Sequence, residues 1–105
     1  MIDIEPVKGA EIRKTRPCII VNDNSVGKLP LKIIVPLTDW KDRYTLAPWM
    51  VKIENDSKNG LFKTSAADCF QIRSLSDNRF VTRLGKIDDD TLDEIKEAIC
   101  SILDI

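Results

Sequence analysis

The sequence predicts a mainly β protein with helical cover, a small antiparallel β-barrel carrying one amphipathic C-terminal helix. Three observations lead there. The apolar runs are short and rich in β-branched residues, as in Cys18-Ile19-Ile20-Val21 and Ile33-Ile34-Val35. Clusters of turn formers separate them, and only after Asp88 does the apolar period become helical. No repeat, low-complexity tract or linker divides the 105 residues, so one domain over 1–105 is expected.

Ile2 to Ile4 alternates apolar and acidic residues and reads as the remnant of a strand, and Pro6 to Lys14 reads as a mobile loop. Pro17 lacks a backbone donor and belongs at the start or edge of the next strand, which continues through Val21. Asn22-Asp23-Asn24-Ser25 ends it. Leu31 to Leu37 follows, its Ile33-Ile34-Val35 centre lacking alternation, as in a strand covered on both faces. Leu46 to Glu54 alternates imperfectly and reads as half-exposed, with Trp49 in the core or in a dimer interface. After the polar turn Asn55 to Gly60, strands are expected over Ser65 to Leu75 and Arg79 to Ile87, parted by Ser76-Asp77-Asn78. Asp88 is placed to cap a helix with Asp89 and Asp90 in its first turn and with Leu92, Ile95, Ile99, Ile102 and Leu103 on its apolar face.

Composition narrows the chemistry. With 43% hydrophobic and 31% charged residues the chain is an ordinary globular protein, long enough to bury roughly two-thirds of its unfolded surface. No apolar run approaches the ~20 residues that span a bilayer, and Met1 to Lys14 lacks the pattern of a signal peptide. Cys18, Cys69 and Cys100 are odd in number and widely spaced, indicating neither a disulfide framework nor a metal knuckle and fitting a reducing cytoplasm. There is no histidine, so catalysis would rest on a guanidinium, a hydroxyl or a carboxylate. Residues 8–52 carry nine basic against four acidic side chains, while residues 88–105 carry seven acidic and one basic. That asymmetry allows one face to attract a polyanion, although composition alone favours a solvated surface.

The stretch from Val7 to Val21, with Gly9, Glu11, Arg16 and Pro17 at its landmarks, resembles the opening block of the MazF/PemK toxin family. Further likenesses follow in order: Val35-Pro36-Leu37-Thr38, Ser65 to Arg73, Arg83 to Ile87, and the closing acidic helix. The resemblance implies an SH3-like barrel and a toxin of the toxin-antitoxin type. It implies a metal-independent endoribonuclease that needs no cofactor, cuts single-stranded messenger RNA at short sequences, acts as a homodimer and is silenced by a cognate antitoxin. It also implies catalytic roles for Arg16 and Thr38. Relative to that family the chain begins near the end of the first strand, so an exposed sheet edge is expected. Phe70 stands where many relatives are acidic, and the catalytic pair used by one branch is missing here, which favours Arg16 and Thr38.

The chemistry of these side chains fits such roles. Attack by a ribose 2′-hydroxyl builds negative charge on phosphorus, and a guanidinium can hold two of the oxygens at once. Thr38 could donate to a phosphate oxygen or orient the nucleophile. An arginine is a poor base at neutral pH, so Glu11 is the conventional candidate for proton removal. Arg13, Lys14, Lys41 and Arg43 are candidate phosphate contacts, and Ser65 and Gln71 are candidate RNA contacts, with Gln71 either reading a base edge or making a plain edge hydrogen bond. Trp40-Lys41-Asp42-Arg43-Tyr44 interleaves aromatic and basic residues; its rings either stack on bases or pack into the core. A second class of function compatible with the sequence is a non-catalytic toxin or binding protein on the same fold, such as a gyrase poison or a degenerate toxin. The related poison relies on a C-terminal tryptophan and glycine, and Ser101-Ile102-Leu103-Asp104-Ile105 has neither.

Overall fold

The computed structural model describes residues 2–4, 16–22 and 30–105. Among these residues seven strands form one antiparallel sheet: β1 (Ile2–Ile4), β2 (Arg16–Ile20), β3 (Leu31–Asp39), β4 (Met50–Ile53), β5 (Ser65–Asp68), β6 (Arg73–Ser76) and β7 (Phe80–Arg83). Among the described residues one α-helix, α1 (Asp89–Leu103), follows β7. The sheet runs β4-β5-β3-β2-β1-β7, with β6 also on β3. It curls without closing, so the expected barrel is an open one among the described residues. The edge expected from a shortened first strand is covered, because β1 pairs with β2 on one side and β7 on the other. None of the described helices is long and apolar enough to cross a membrane.

β3 organises the sheet because its far edge changes partner halfway. Leu31 to Ile34 pair with β6 and Leu37 to Asp39 with β5, while β2 lies along the near edge. Val21 N–H donates to the Ile33 carbonyl at 2.9 Å, so odd-numbered residues of β3 direct their backbone groups at β2 and even-numbered ones at the far edge. Pro36, with no N–H to give, sits where β6 has ended and β5 has not begun. The same switch explains a difference from the expected single strand over Ser65 to Leu75. To move from one half of β3 to the other the chain needs a corner, and the 3-10 turn Cys69–Gln71 makes it. The strand expected over Leu46 to Glu54 shrinks to Met50–Ile53, because a 3-10 turn occupies Asp42–Leu46 and Trp49 lies in the turn that follows. The strand expected over Arg79 to Ile87 is likewise shortened to β7.

Ile34 and Val35 are both fully buried, on opposite faces. Val35 joins the main core with Ile19, Leu37, Val51, Ile53 and Ile95, whereas Ile34 packs with Cys18 and Leu75. The central part of β3 is thus covered on both faces as expected, but Ile33 is exposed. α1 lies over β4 and the Cys69 corner, where the Cys69 thiol meets the Ile95 carbonyl at 3.9 Å. Asp88 caps the helix by accepting from Thr91 N–H at 2.7 Å. The buried stripe centres on Ile95 and Ala98, and Leu103 falls outside it.

Candidate functional site

A cleft of about 660 Å³ opens where β2 starts and β3 ends, and Arg16, Thr38 and Ser65 all line it. Cys18 lies opposite Pro36, and continuing that register by two residues sets Arg16 across from Thr38. Such pairs, which exchange no backbone hydrogen bonds, bring their side chains closest together. On its other edge Thr38 is opposite Ala66, and the next pair is Asp39 with Ser65. Both Arg16 and Thr38 are exposed, and among the described residues Arg16 has no ion-pair partner. The neighbouring carboxylate of Asp39 is instead bound by Lys63 at 2.9 Å.

The opposite lip of the cleft, Gly60 to Lys63, comes from the loop joining β4 to β5. Asp56 Oδ1 accepts from Lys58 N–H and Asn59 N–H, folding the loop back on itself. The Asn59 side chain is only 3% exposed; its Oδ1 accepts from Asp56 N–H and Leu61 N–H, and its Nδ2 donates to the Glu54 carbonyl. Gly60 adopts φ +70, and a Cβ there would stand 2.2 Å from the Leu84 carbonyl oxygen. One residue on from Leu84, a Cβ on Gly85 would meet the Lys58 carbonyl oxygen at 2.2 Å. Two backbones therefore cross with no room for side chains, and this crossing fixes the lip against the segment that follows β7.

The structure brings together some of the expected residues and separates others. Ser65 is buried in the cleft wall, its hydroxyl donating to the Lys63 carbonyl at 3.0 Å. Gln71 is exposed outside the cleft lining; its Nε2 donates to Asp68 Oδ2 at 2.8 Å. Lys41 and Arg43 are exposed beyond the end of β3, with the Arg43 guanidinium 5.3 Å above the Tyr44 ring. Trp40 and Tyr44, half-buried, meet edge to face at 5.8 Å, and Lys52 Nζ stands 5.2 Å above Trp40. The rings thus pack on each other and beside cations, and neither belongs to a core cluster among the described residues. Trp49 makes an edge contact with exposed Phe70 at 5.9 Å. Glu11, Arg13 and Lys14 lie outside the described residues. Sequence reasoning missed Phe62 and Lys63, although an aromatic beside a lysine is the signal that singled out residues 40–44. Among the described residues no group of three His, Cys, Asp or Glu side chains is arranged to hold a metal ion.

An open antiparallel sheet carrying a terminal helix is an architecture shared with solved toxin structures. The structure superposes on Mycobacterium tuberculosis toxin MazF-mt6 with a TM-score of 0.76 at 21% identity, covering 99% of this chain and 96% of that one. It also matches an endoribonuclease in complex with its cognate antitoxin from a mycobacterial species, with a TM-score of 0.76 at 19% identity over 99% of this chain and 92% of that one. In sequence it is 31% identical over 99 residues to endoribonuclease MazF of Staphylococcus saprophyticus, covering 94% of this chain and 82% of the relative. The family model of the PemK-like, MazF-like toxins of type II toxin-antitoxin systems matches residues 1–103, and the chain belongs to that family.

Proposed function

We propose that the Arg16 cleft cuts single-stranded RNA, messenger RNA in the cell, at short defined sequences and without a metal ion. That the chain is an endoribonuclease toxin of the MazF kind rests on its family and its relative, and the geometry of the cleft supports placing the chemistry there. One observation carries it: a guanidinium with no ion-pair partner among the described residues and a threonine hydroxyl line the same open cleft from adjacent strand ends.

In this mechanism a ribose 2′-oxygen forms a bond to the adjacent phosphorus and gives up its proton to Glu11. The bond from phosphorus to the 5′-oxygen breaks, and that oxygen takes a proton from water. Arg16 holds two phosphorane oxygens as their charge grows, and Thr38 donates its hydroxyl to a phosphate oxygen or orients the nucleophile. Arg13, Lys14, Lys41 and Arg43 neutralise flanking phosphates. Gln71 has its carbonyl oxygen available for a base edge, and Ser65 can still accept a hydrogen bond. The active form is a cytoplasmic homodimer. A cognate antitoxin silences it by laying an acidic segment over the basic face, and this association weakens as salt rises.

The test is cleavage of a defined transcript in EDTA. The wild type leaves a 2′,3′-cyclic phosphate and a 5′-hydroxyl, and Arg16→Ala lowers the rate by about 100-fold or more. Undiminished cutting by Arg16→Ala, or a requirement for added metal, overturns the reading.

A further inference from the structure

Phe62 is the most exposed large apolar side chain among the described residues, at 96%, and it lies on the cleft that holds Arg16 and Thr38. A phenylalanine left in water forgoes the gain that burial would bring, so its display asks for an occupant. Its ring pairs with no aromatic ring or cation among the described residues, unlike those of Trp40, Tyr44, Trp49 and Phe70. Nor does it sit on a loose tip. Leu61, just before it, is buried in the core with its N–H bound to Asn59 Oδ1 at 3.0 Å, and Lys63, just after it, is tied to Asp39 at 2.9 Å. The ring is presented from a lip anchored on both sides, so ordering it on binding costs little.

From this we infer that Phe62 is a stacking platform for the base of a nucleotide flanking the phosphate held at Arg16. The inference rests on the proposed RNA cleavage by this cleft and adds to it a named contact for a base. A positively charged strand end beside an unpartnered aromatic face is what a single strand of nucleic acid requires, one for its backbone and one for its unstacked bases. Stacking accepts every base, since each offers a π-face, so Phe62 contributes affinity and placement while hydrogen-bonding groups read the sequence.

The test uses a fluorescein-labelled single-stranded RNA containing the mapped cleavage site, with the attacking 2′-hydroxyl replaced by hydrogen so that it binds uncut. Phe62→Ala should weaken binding by about 5- to 150-fold in anisotropy titrations, the range of base–aromatic stacking, and raise KM on the cleavable RNA with kcat little changed. Phe62→Trp should restore affinity, and its added fluorescence should be quenched on binding; Phe62→Leu should not restore it. Wild-type affinity and KM in Phe62→Ala overturn the inference, as does loss of antitoxin binding with RNA binding intact, which would make Phe62 a protein anchor. Should Arg16→Ala cut the cleavable RNA at the wild-type rate while Phe62→Ala binds the uncut RNA weakly, the assignment of cleavage to Arg16 fails and the stacking contact stands.

Discussion

Replacing Asn59 by alanine should destabilise the protein by about 3–5 kcal/mol, a value built from three hydrogen bonds of unequal standing. The amide accepts from Leu61 N–H in a buried setting and from Asp56 N–H in a partly buried one, and it donates to the partly buried Glu54 carbonyl. Leaving the Leu61 donor unpaired away from water costs about 1–3 kcal/mol, while the other two groups can turn to solvent and lose about 1 kcal/mol each. The sum, taken at roughly 4–8 °C per kcal/mol for a domain near this size, lowers the melting temperature by about 12–40 °C. Urea denaturation followed by circular dichroism measures the loss. Amide exchange locates it, because Leu61 N–H should lose protection while the centre of β3 keeps its own in native conditions. Asn59→Asp sharpens the test: it keeps the acceptor for both N–H groups but turns an anionic oxygen toward the Glu54 carbonyl, so it too is destabilising while Leu61 stays protected. A loss under 1 kcal/mol in Asn59→Ala, or unchanged exchange at Leu61, would refute the view that this side chain holds the lip of the cleft.

Arg16→Lys keeps the charge but not the planar fork, so cleavage should fall at least tenfold while the melting temperature of this exposed residue's variant stays within about 2 °C of wild type. Lys63→Met unmasks the Asp39 carboxylate in the cleft and should weaken RNA binding by about fivefold at low salt, with Asp39→Asn added to it restoring most of the loss. Thr91 N–H, donating to the Asp88 carboxylate, lowers its pKa below the ordinary 3.8. The cap's stabilisation is therefore complete above that value and drains away as pH falls toward the lower folded value, so the melting-temperature advantage of wild type over Asp88→Asn should shrink between pH 5 and pH 2. Burial, with a smaller push from Asp68, raises the Cys69 thiol to about 11; in native protein at pH 8 iodoacetamide should label exposed Cys100 and spare Cys69, as peptide mass spectrometry will report.

The strands were legible where composition alone decides them. Ile19, Ile34 and Val35 are β-branched and buried, and Asp88 caps the helix it was expected to cap. The corner at Cys69–Gln71 was not legible, because Ser65 to Leu75 holds no glycine or proline to announce it; the turn is imposed by the change of partner along β3. Ala98 was passed over for the helix stripe because an alanine carries little apolar signal, yet its small side chain is buried. In the cleft, Arg16 and Thr38 could be named from neighbouring residues in the chain. The lip could not, since the turn Asn55 to Gly60 reads as solvated and its function depends on a buried amide and on a backbone crossing with Gly85, 25 residues away.

The cleft's charge is set by pairing as much as by composition. Thr38 is followed at once by Asp39, whose carboxylate would repel a phosphate entering beside Arg16. Lys63, carried by the loop on the far side, binds that carboxylate and leaves the guanidinium as the uncompensated charge among the described ion pairs. The same loop displays Phe62 and is held by Asn59 and Gly60, so the clamp that stabilises the fold also brings the neutralising lysine and the aromatic face to the strand ends. An electrostatic site on strand termini alone would be open to water on every side; one bounded by a fixed lip keeps its donors oriented before the substrate arrives, which is the condition for such contacts to favour the transition state over the ground state.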